Sequence, residues 1–427
     1  MQISDRVQRI AASQSLAMAA RAKAMKAAGI DVISMSLGEP DMDTPEHIRR
    51  AAQEAIDNGW THYGPVAGVP SLREAIACSQ NSHLRFEDCR FKIDDCKFEA
   101  ADVIVSVGAK MAIYNAIQTV INPGDEVVIP MPSWVSYTEM VKLAGGKVVA
   151  VQTQYENRYC LTADELRAAL TEKTRMLILC SPNNPTGSIY SYEELQAIVE
   201  VLREYPQVTV LSDEIYNALV YDSLELSVES LEMASPTMAL FPEIADRLVI
   251  VNGVSKAYAM TGWRIGWLMS KNKAFIEACT RLQGQQVTCA TMAAQKAAEA
   301  ALKGSQECVE QMRQVFAERR ELICRLAAEI PAFRFEKPQG AFYLFPNIST
   351  LFGKRPTPNP SLKGRELFIS TADDVAEYLL EEAHVAVVSG SAFGCPECIR
   401  LSYAISTEEI VEAMKRIKMA IEKLRQL

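Results

Sequence analysis

The sequence predicts an α/β protein, with a large domain built on a mostly parallel sheet flanked by helices and a second, smaller α/β domain. In the middle of the chain, continuously apolar segments of strand length alternate with helical stretches, which is typical of parallel strands covered on both faces. Further apolar segments and a final amphipathic helix at residues 407–427 predict the smaller domain. The predicted strands of the large domain are 103–107, 126–130, 147–151, 175–179, 208–212 and 247–251.

The two ends of the chain are predicted to contribute to the smaller domain. Residues 1–30 have the alanine-rich pattern of an amphipathic helix that stops at Gly29. We expect three units: an N-terminal arm with part of the small domain, the large domain, and the small C-terminal domain. Their predicted bounds are 1–45, 46–305 and 306–427, and the apolar segments that predict small-domain strands are 31–37, 338–345, 385–390 and 399–404.

Three other regions are assigned from periodicity and composition. Residues 45–58 have helical periodicity, and residues 271–329 are helical in pattern with a break near Gly304. Residues 78–100 are polar and contain cysteines, so they are predicted to form a surface excursion whose role the sequence does not indicate.

Composition and charge exclude several classes of protein. The chain has 427 residues, of which 49% are hydrophobic and 23% charged, as in a globular protein with a large core. Its net charge of −9 argues against a general nucleic-acid-binding protein, which would carry a basic surface. No apolar run approaches the length of a membrane span, and no secretory signal follows Met1, so a cytoplasmic location without membrane attachment is expected.

The cysteines predict free thiols rather than a disulfide framework or a metal site. There are eleven of them, scattered along the chain, which is typical of a protein in a reducing compartment. Cys395 and Cys398 form a lone CxxC pair. A zinc site would need a second pair or nearby histidines, and the chain has only four histidines, so no metal is predicted.

The glycine-rich segment 253–266 carries the strongest chemical signal. It places Lys256 among small residues, beside Ser255 and eight positions before Arg264. A lysine that forms an imine with a carbonyl cofactor needs close access, and a nearby cation both lowers the pKa of the amine and holds an anionic cofactor. The alternative is an exposed lysine and arginine on a flexible loop.

Three further candidates lie at or just after the ends of predicted strands. Asp213 stands at a strand end in Ser-Asp-Glu-Ile-Tyr, with Tyr216 three positions later. Asn184 lies in an Asn-Pro-Thr-Gly loop, and Trp134 in Pro-Ser-Trp-Val-Ser-Tyr. Each has a structural alternative, namely a turn or cap residue for Asp213, a plain loop for Asn184 and a core aromatic for Trp134.

The other candidates are an arginine, a tight loop and a helix start. Arg400 lies in an apolar, strand-like segment, where it needs either a bidentate carboxylate ligand or a structural ion pair. Gly38 opens Gly-Glu-Pro-Asp, which predicts either a close approach of backbone to a ligand or an ordinary turn. The turn at Gly108, Ala109 and Lys110 begins a helix whose first N–H groups form an anion site.

These segments resemble, in the same order and over residues 5–425, the class I aminotransferases, which have fold type I and depend on pyridoxal 5′-phosphate (PLP). The resemblance implies that residues 46–305 form the PLP-binding domain of a homodimer with shared active sites. It implies that Lys256 is the Schiff-base lysine. It also implies that Asp213 keeps the cofactor's ring nitrogen protonated, so that the ring accepts electrons.

The resemblance implies roles for the remaining candidates. Tyr216 and Asn184 would contact the phenolic oxygen of the cofactor, and Trp134 would stack on its ring. Tyr63, unremarkable by itself, would reach the phosphate of the partner subunit. The other implied phosphate ligands are Ser255, Arg264, Gly108, Ala109 and Lys110, and the implied substrate-binding residues are Gly38, Trp134, Asn184, Arg400 and Lys110.

The motifs are most similar to those of the bacterial aspartate aminotransferase branch, some of whose members accept prephenate. The implied reaction transfers the amino group of L-aspartate to 2-oxoglutarate in a ping-pong cycle, with the Lys256 amine moving the α-proton. No arginine lies between residues 282 and 312, so Lys110 is implied to bind the second carboxylate, with a surface lysine as the alternative. Residues 283–289 depart from the serine- and threonine-rich segment expected there. This departure leaves prephenate, aromatic and alanine specificities open.

Three other functions are alternatives to an aminotransferase. A C–S lyase or cyclising synthase of the same fold would retain every cofactor residue, and turnover that depends on a 2-oxo acid would separate it from an aminotransferase. A PLP-sensing transcription regulator would carry a basic DNA-binding domain, for which there is no room before Gly38. A dinucleotide-binding dehydrogenase is disfavoured because no Gly-x-Gly-x-x-Gly follows an early strand.

Overall fold

A computed structural model describes residues 2–11, 14–82, 97–221, 235–356 and 368–425. Residues 83–96, the greater part of the predicted surface excursion, lie outside these ranges. The first residues of that predicted excursion, up to Ser82, continue a helix that starts at Pro70.

The described strands are short in the small domain and longer in the central sheet. They are β1 (Ile33–Ser34), β2 (Val103–Val107), β3 (Glu126–Met131), β4 (Lys147–Gln152), β5 (Thr174–Cys180), β6 (Thr209–Asp213), β7 (Leu248–Gly253), β8 (Ile265–Met269), β9 (Tyr343–Leu344), β10 (Arg355–Pro356), β11 (Val385–Ala386), β12 (Val388–Ser389), β13 (Ile399–Ser402) and β14 (Leu424–Arg425).

Seven of these strands form one sheet in the order β2-β8-β7-β6-β5-β3-β4. All neighbouring pairs are parallel except those made by β8, which runs antiparallel to β2 and to β7. The six predicted strands of the large domain are confirmed to within one or two residues at each end. The sequence analysis missed β8, although the apolar segment after Arg264 was a signal for it.

The sheet is buried on both faces, as its continuously apolar strands predict. Along β2, Val103 and Val105 pack into one hydrophobic cluster, whereas Ile104 packs into a second cluster on the opposite face. This alternation follows from the two-residue repeat of a strand. The helices that cover the two faces complete a three-layer α/β arrangement, and the predicted fold class is confirmed.

The described helices fill the remaining connections. They are α1 (Asp5–Gln8), α2 (Gln14–Ala27), α3 (Glu46–Asp57), α4 (Pro70–Ser82), α5 (Ala109–Val120), α6 (Ser136–Leu143), α7 (Ala163–Ala169), α8 (Tyr192–Leu202), α9 (Val254–Ala257), α10 (Lys273–Gln286), α11 (Met292–Lys303), α12 (Glu307–Ala328), α13 (Ala372–Glu382) and α14 (Thr407–Glu422).

The long helical stretch predicted at residues 271–329 is three helices, α10, α11 and α12. The predicted break near Gly304 is confirmed, but the earlier break between α10 and α11 was not predicted. There the backbone of Thr288 has a φ of 64°, which no helix accommodates. The predicted strand at 338–345 is also shorter than expected, because only β9 pairs with a neighbour.

A second hydrophobic core joins both ends of the chain. Ile33 and Met35 near the N-terminus pack in one cluster with residues from α12, α13 and α14. Strand β1 pairs in parallel with β11, and β9, β13 and β12 form a small antiparallel sheet. The cavity described below is lined by residues of both cores.

Candidate active site

The predicted site residues of the large domain gather at one edge of the central sheet. Asp213 is the last residue of β6, and Lys256 lies in α9 immediately after β7. Because these strands are parallel, the segments after them meet at the carboxyl edge, where α/β proteins bind their ligands. Arg264 precedes β8, which runs in the opposite direction, so it lies at the same edge.

This edge forms a cavity of about 270 Å³. Eleven of the thirteen predicted site residues line it, and Arg400 of β13 and Gly38 reach it from the small domain. The predicted residues in the lining are Gly38, Ala109, Lys110, Trp134, Asn184, Asp213, Tyr216, Ser255, Lys256, Arg264 and Arg400.

Lys256 is a desolvated amine near two other cations. Its Nζ donates a hydrogen bond to the carbonyl oxygen of Gly38. The pKa of Lys256 is lowered to about 8, chiefly by burial; the nearby Arg400 and Arg264 charges add to the decrease, and Glu39 and Asp213 oppose it. A substantial fraction of the amine is therefore neutral near pH 8, as a nucleophile or a base requires.

Asp213 is a buried carboxylate with two hydrogen-bond donors. Its Oδ2 accepts from the Tyr137 hydroxyl at 2.6 Å, and its Oδ1 accepts from the backbone N–H of Ile215 at 3.2 Å. Burial raises the pKa of Asp213 to about 6, while these hydrogen bonds and Lys256 oppose the increase. The carboxylate is thus anionic at neutral pH and able to pair with a cationic ring nitrogen.

Arg400 is a buried cation whose contacts within the described residues are with neutral groups. Its Nη1 donates to Asn184 Oδ1 at 2.9 Å and its Nη2 to the carbonyl oxygen of Ser36 at 2.7 Å. The guanidinium lies 4.4 Å from the centre of the Tyr343 ring, and its Nε has no hydrogen-bond partner within the described residues. Because a buried charge without a counter-charge is costly, Arg400 is suited to receive an anionic ligand.

Tyr216 and Tyr343 form the wall beside Lys256. Their hydroxyl groups are hydrogen-bonded at 2.7 Å, and both side chains are buried. The Tyr343 hydroxyl also packs against Gly38, where a Cβ atom would collide with it. A glycine at this position is therefore required by close packing.

The start of α5 forms the anion-binding corner of the cavity. Gly108 has a φ of 79° and caps the helix, and a Cβ atom there would occupy the space of the Arg264 guanidinium. The first N–H groups of α5, at Ala109 and Lys110, have no acceptor within the helix. Together with Ser255, which lines the same cavity, these groups form a donor set suited to a phosphate.

Trp134 and Lys110 lie next to each other in the lining of the cavity. Lys110 Nζ is 4.7 Å from the centre of the Trp134 ring, and burial and Arg264 lower the pKa of the lysine. Much of Lys110 is exposed, but its amine lies over the Trp134 ring at the cavity.

Two predicted residues do not line the cavity. Gly108 lies behind its neighbours at the helix start, in contact with Arg264. Tyr63 is 90% exposed and belongs to a surface loop. The subunit described here therefore does not use Tyr63 in its own cavity.

The sequence analysis missed several residues that the tertiary structure brings into the cavity. Tyr137 holds Asp213, Tyr343 holds Tyr216, and Leu16 of α2 lies at the opening. Tyr137 follows Trp134 by three positions, so one helical turn was a signal for it. Tyr343 and Leu16 come from distant parts of the chain, and no local pattern indicated them.

The electrostatics of the cavity are opposite to those of the protein as a whole. The chain carries a net charge of −9, yet four cations line the cavity and Asp213 is the only carboxylate among the described residues that do so. These cations are Lys110, Lys256, Arg264 and Arg400. This arrangement attracts a small ligand with more than one negative charge.

A family model described as aminotransferase class I and II matches residues 30–417. The chain belongs to the class I and II aminotransferases. The aspartate aminotransferase of Bacillus sp. (strain YM-2) is 40% identical over 97% of the chain and 98% of that protein. A probable aspartate/prephenate aminotransferase of Rickettsia felis is 40% identical over 98% of the chain and 96% of that protein.

Solved structures of aminotransferases share the whole fold. The aspartate aminotransferase from Rhizobium meliloti has a TM-score of 0.90 and 37% identity, with 100% of both chains covered. The aspartate aminotransferase from Thermus thermophilus with maleate has a TM-score of 0.85 and 35% identity, covering 98% of this chain and 100% of that one. The protein is therefore an aminotransferase of fold type I.

Neither a membrane span nor a metal cluster is found in the described part of this aminotransferase. No helix there is both long enough and apolar enough to cross a bilayer. Within the same ranges, no three histidine, cysteine, aspartate or glutamate side chains are grouped to hold a metal ion. Cys395 and Cys398 are buried thiols with their sulfur atoms 3.3 Å apart.

We predict that Tyr137→Phe lowers the kcat/KM of transamination about tenfold or more, because Asp213 loses a hydrogen bond to its charged form. That loss raises the pKa of Asp213 above about 6, so the acidic limb of the pH profile moves to higher pH. The matched control is Tyr190→Phe, which removes a buried hydroxyl that accepts from the Leu161 N–H outside the cavity. Equal pH profiles for the two variants would contradict the assignment.

Proposed function

We propose that this aminotransferase uses PLP to move the amino group of L-aspartate, or of a related dicarboxylic amino acid, to 2-oxoglutarate by a ping-pong mechanism. The observation that carries the proposal is the convergence of Lys256, Asp213 and Arg400 in one cationic cavity. PLP-dependent transamination requires a nucleophilic amine, an acid for the ring nitrogen and a cation for the substrate carboxylate. Arg400 is such a cation, since it has no counter-charge within hydrogen-bond distance among the described residues.

The residues present fit PLP. The space beside Gly108 is occupied by the Arg264 guanidinium, so a cation and helix N–H groups face the same corner. We propose that Ser255, Arg264 and the start of α5 hold the phosphate. Asn184 uses its carbonyl oxygen to accept from Arg400, so its amide N–H₂ is the group left to donate to the phenolic oxygen, beside Tyr216. Trp134 would cover the ring.

When bound, PLP supplies a carbonyl that combines with amines and a protonated ring that accepts electrons. The chain then performs three tasks. Asp213 holds a proton at the ring nitrogen through its anionic carboxylate. Arg400 orients the substrate through its α-carboxylate, with Gly38 close by. Lys256 Nζ anchors the cofactor and serves as the base for the proton at the substrate α-carbon.

We also propose a homodimer with shared active sites, in a cytoplasmic location. The exposure of Tyr63 supports the dimer, because a phenol that is 90% exposed is available to the cavity of a second copy. The nine cysteines in the described ranges are all free, which supports a reducing compartment. The division at residues 45 and 305 stays a proposal, supported by the start of α12 at Glu307 and by the packing of Ile33 with the C-terminal core.

The dicarboxylic specificity rests on Lys110. Its amine lies over Trp134 in the same cavity as Arg400, so the cavity offers one cation for each carboxylate of a dicarboxylic substrate. The similar proteins, which are aspartate and aspartate/prephenate aminotransferases, support this choice. Maleate, the molecule named with the Thermus thermophilus enzyme, is itself a dicarboxylate.

Prephenate, aromatic amino acids and alanine are the alternative substrates, and a C–S lyase is the alternative reaction. Prephenate also carries two carboxylates, so it would use the same two cations. Aromatic amino acids and alanine have one carboxylate and would leave Lys110 without a counter-charge. A C–S lyase would turn over without any 2-oxo acid.

The first test is spectroscopic. Purified protein loaded with PLP should lose the absorbance band of the PLP form on addition of L-aspartate and gain that of the pyridoxamine form. Added 2-oxoglutarate should reverse the change, and Lys256→Ala should show neither step. Failure to bind PLP would refute the proposal, whereas a spectrum that aspartate leaves unchanged would remove only the aspartate assignment.

The rate of PLP uptake should report the pKa of Lys256. Because only the neutral amine reacts, the rate should rise about tenfold per pH unit well below the pKa and level off above it. Stopped-flow absorbance should give a midpoint near 8, where burial places the pKa, rather than near the ordinary value of 10.5. A midpoint near the ordinary value would show that the amine is not desolvated.

Lys110→Met should separate dicarboxylic from monocarboxylic substrates. Loss of a charge-assisted hydrogen bond should lower kcat/KM for L-aspartate by about ten- to a hundredfold. The value for L-alanine, which has no second carboxylate, should change less than about threefold and serves as the internal control. Equal losses for both amino acids would mean that Lys110 supports the cofactor rather than the substrate side chain.

A further inference from the structure

We propose that Gln283 is a positioning residue that fixes the loop through which Tyr63 reaches the active site of the partner subunit. The inference rests on the proposed function, since it deepens the role of the shared active site. The Tyr63 loop is defined as residues 60–69, between α3 and α4. Gln283 is the first residue of segment 283–289, which departs from the serine- and threonine-rich sequence expected there.

The Tyr63 side chain has little support of its own. It is 90% exposed, so its position in a dimer depends on the backbone of its loop. A phenol that must meet a phosphate within hydrogen-bond distance needs placement to within about 0.5 Å, which a freely moving loop cannot provide. The contacts that hold this loop are therefore functional candidates.

The loop backbone is tethered at consecutive residues just after Tyr63. The carbonyl oxygen of Val66 accepts from Gln283 Nε2 at 2.8 Å, and that of Ala67 accepts from the Val105 N–H at 3.0 Å. Gly68, with a φ of 100°, packs so closely on Val105 that a Cβ atom would approach it to 2.6 Å. These contacts attach the loop to β2.

Gln283 uses the full hydrogen-bonding capacity of its amide for this attachment. Nε2 donates to the carbonyl oxygens of Val66 and Val105, at 2.8 and 2.9 Å. Oε1 accepts from the Ser106 hydroxyl at 2.6 Å and from Asn115 Nδ2 at 3.2 Å. The side chain is completely buried, so each of these bonds is protected from water.

The four bonds join the loop to the elements that build the anion corner. Val105 and Ser106 belong to β2, which leads directly into Gly108, and Asn115 lies on α5, whose first turn faces the cavity. The Gln283 amide thus contacts the Tyr63 loop, which is directed to the partner subunit. The same amide contacts β2 and α5, which shape the proposed phosphate site of its own subunit. No other residue type with this length offers two donors and one acceptor in that geometry.

Helix α11 supports the loop from its other side. Gln295 Oε1 accepts from the Val69 N–H at 2.8 Å, and this glutamine is also completely buried. Met292 packs against Gly64, and Lys296 Nζ lies 4.8 Å from the centre of the Trp60 ring. Among the described residues, Gln295 makes no hydrogen bond to β2 or α5, so it provides an independent way to loosen the same loop.

The test is a double-mutant cycle on PLP affinity, measured with the intact dimeric holoenzyme. Tyr63→Phe and Gln283→Met should each raise the PLP dissociation constant about tenfold, as expected for the loss of one hydrogen bond to a charged group. If Gln283 acts through Tyr63, the double variant should also be about tenfold weaker than wild type. A product of the two effects, about a hundredfold, would show that Gln283 acts through the phosphate site of its own subunit rather than through Tyr63, and would overturn the inference.

Two further variants keep the result interpretable. Gln295→Met should reproduce the non-additive pattern with Tyr63→Phe, so the test does not depend on the folding of Gln283→Met. Thr119→Val is the matched control, since it removes a hydroxyl that contacts Asn115 and Cys279 between α5 and α10 without touching the loop. It should leave the PLP dissociation constant unchanged even if it lowers thermal stability.

The remaining outcomes distinguish this inference from the proposed function. A wild-type protein that binds no PLP would refute the proposed function itself. A wild-type protein that binds PLP and transaminates, but whose affinity is unaffected by Tyr63→Phe or by both glutamine variants, would retain that function and overturn the role of Gln283. A monomeric active holoenzyme would do the same.

Discussion

The desolvation of Lys256 and Arg400 in one cavity is the constraint on which the rest of the site depends. Arg400 is buried and Lys256 is partly buried, and among the described residues that line the cavity only Asp213 carries a negative charge. Burial lowers the pKa of both basic groups. For Lys256 this favours the neutral, nucleophilic amine, whereas the Arg400 guanidinium stays charged and is stabilised by an anionic partner. Asp213, held by Tyr137, remains charged in the same environment because its hydrogen bonds offset part of the cost of burial.

The cavity exists because two hydrophobic cores meet at the carboxyl edge of the sheet. The large core supplies the amine and the acid from segments that follow parallel strands, whereas the small core supplies Arg400 from β13. The hydrogen bond from Arg400 of β13 to Asn184, which follows β5, links the small domain to the central sheet at the cavity. A change in the relative position of the two cores would therefore alter the proposed substrate carboxylate site and the proposed cofactor contacts together.

Much of the fold was predictable, and the errors have physical causes. Parallel strands buried on both faces are continuously apolar, so β2 to β7 were evident from composition and length. Strand β8 was missed because it begins inside the glycine-rich segment 253–266, and only the four-residue helix α9 separates it from β7. The break between α10 and α11 was missed because its left-handed residue, Thr288, is not the glycine or asparagine that usually marks such a position.

The sequence by itself determined the chemical groups: Lys256, Asp213 and Arg400 were identified from local motifs, because each has short-range sequence surroundings suited to its chemistry. Only the tertiary structure decided their partners. Tyr343 is hydrogen-bonded to Tyr216, which is 127 positions away in the sequence. Gln283 donates to the carbonyl oxygen of Val66, which is 217 positions away. Such contacts leave no local periodicity, since they depend on the packing of whole elements rather than on the spacing of neighbours along the chain.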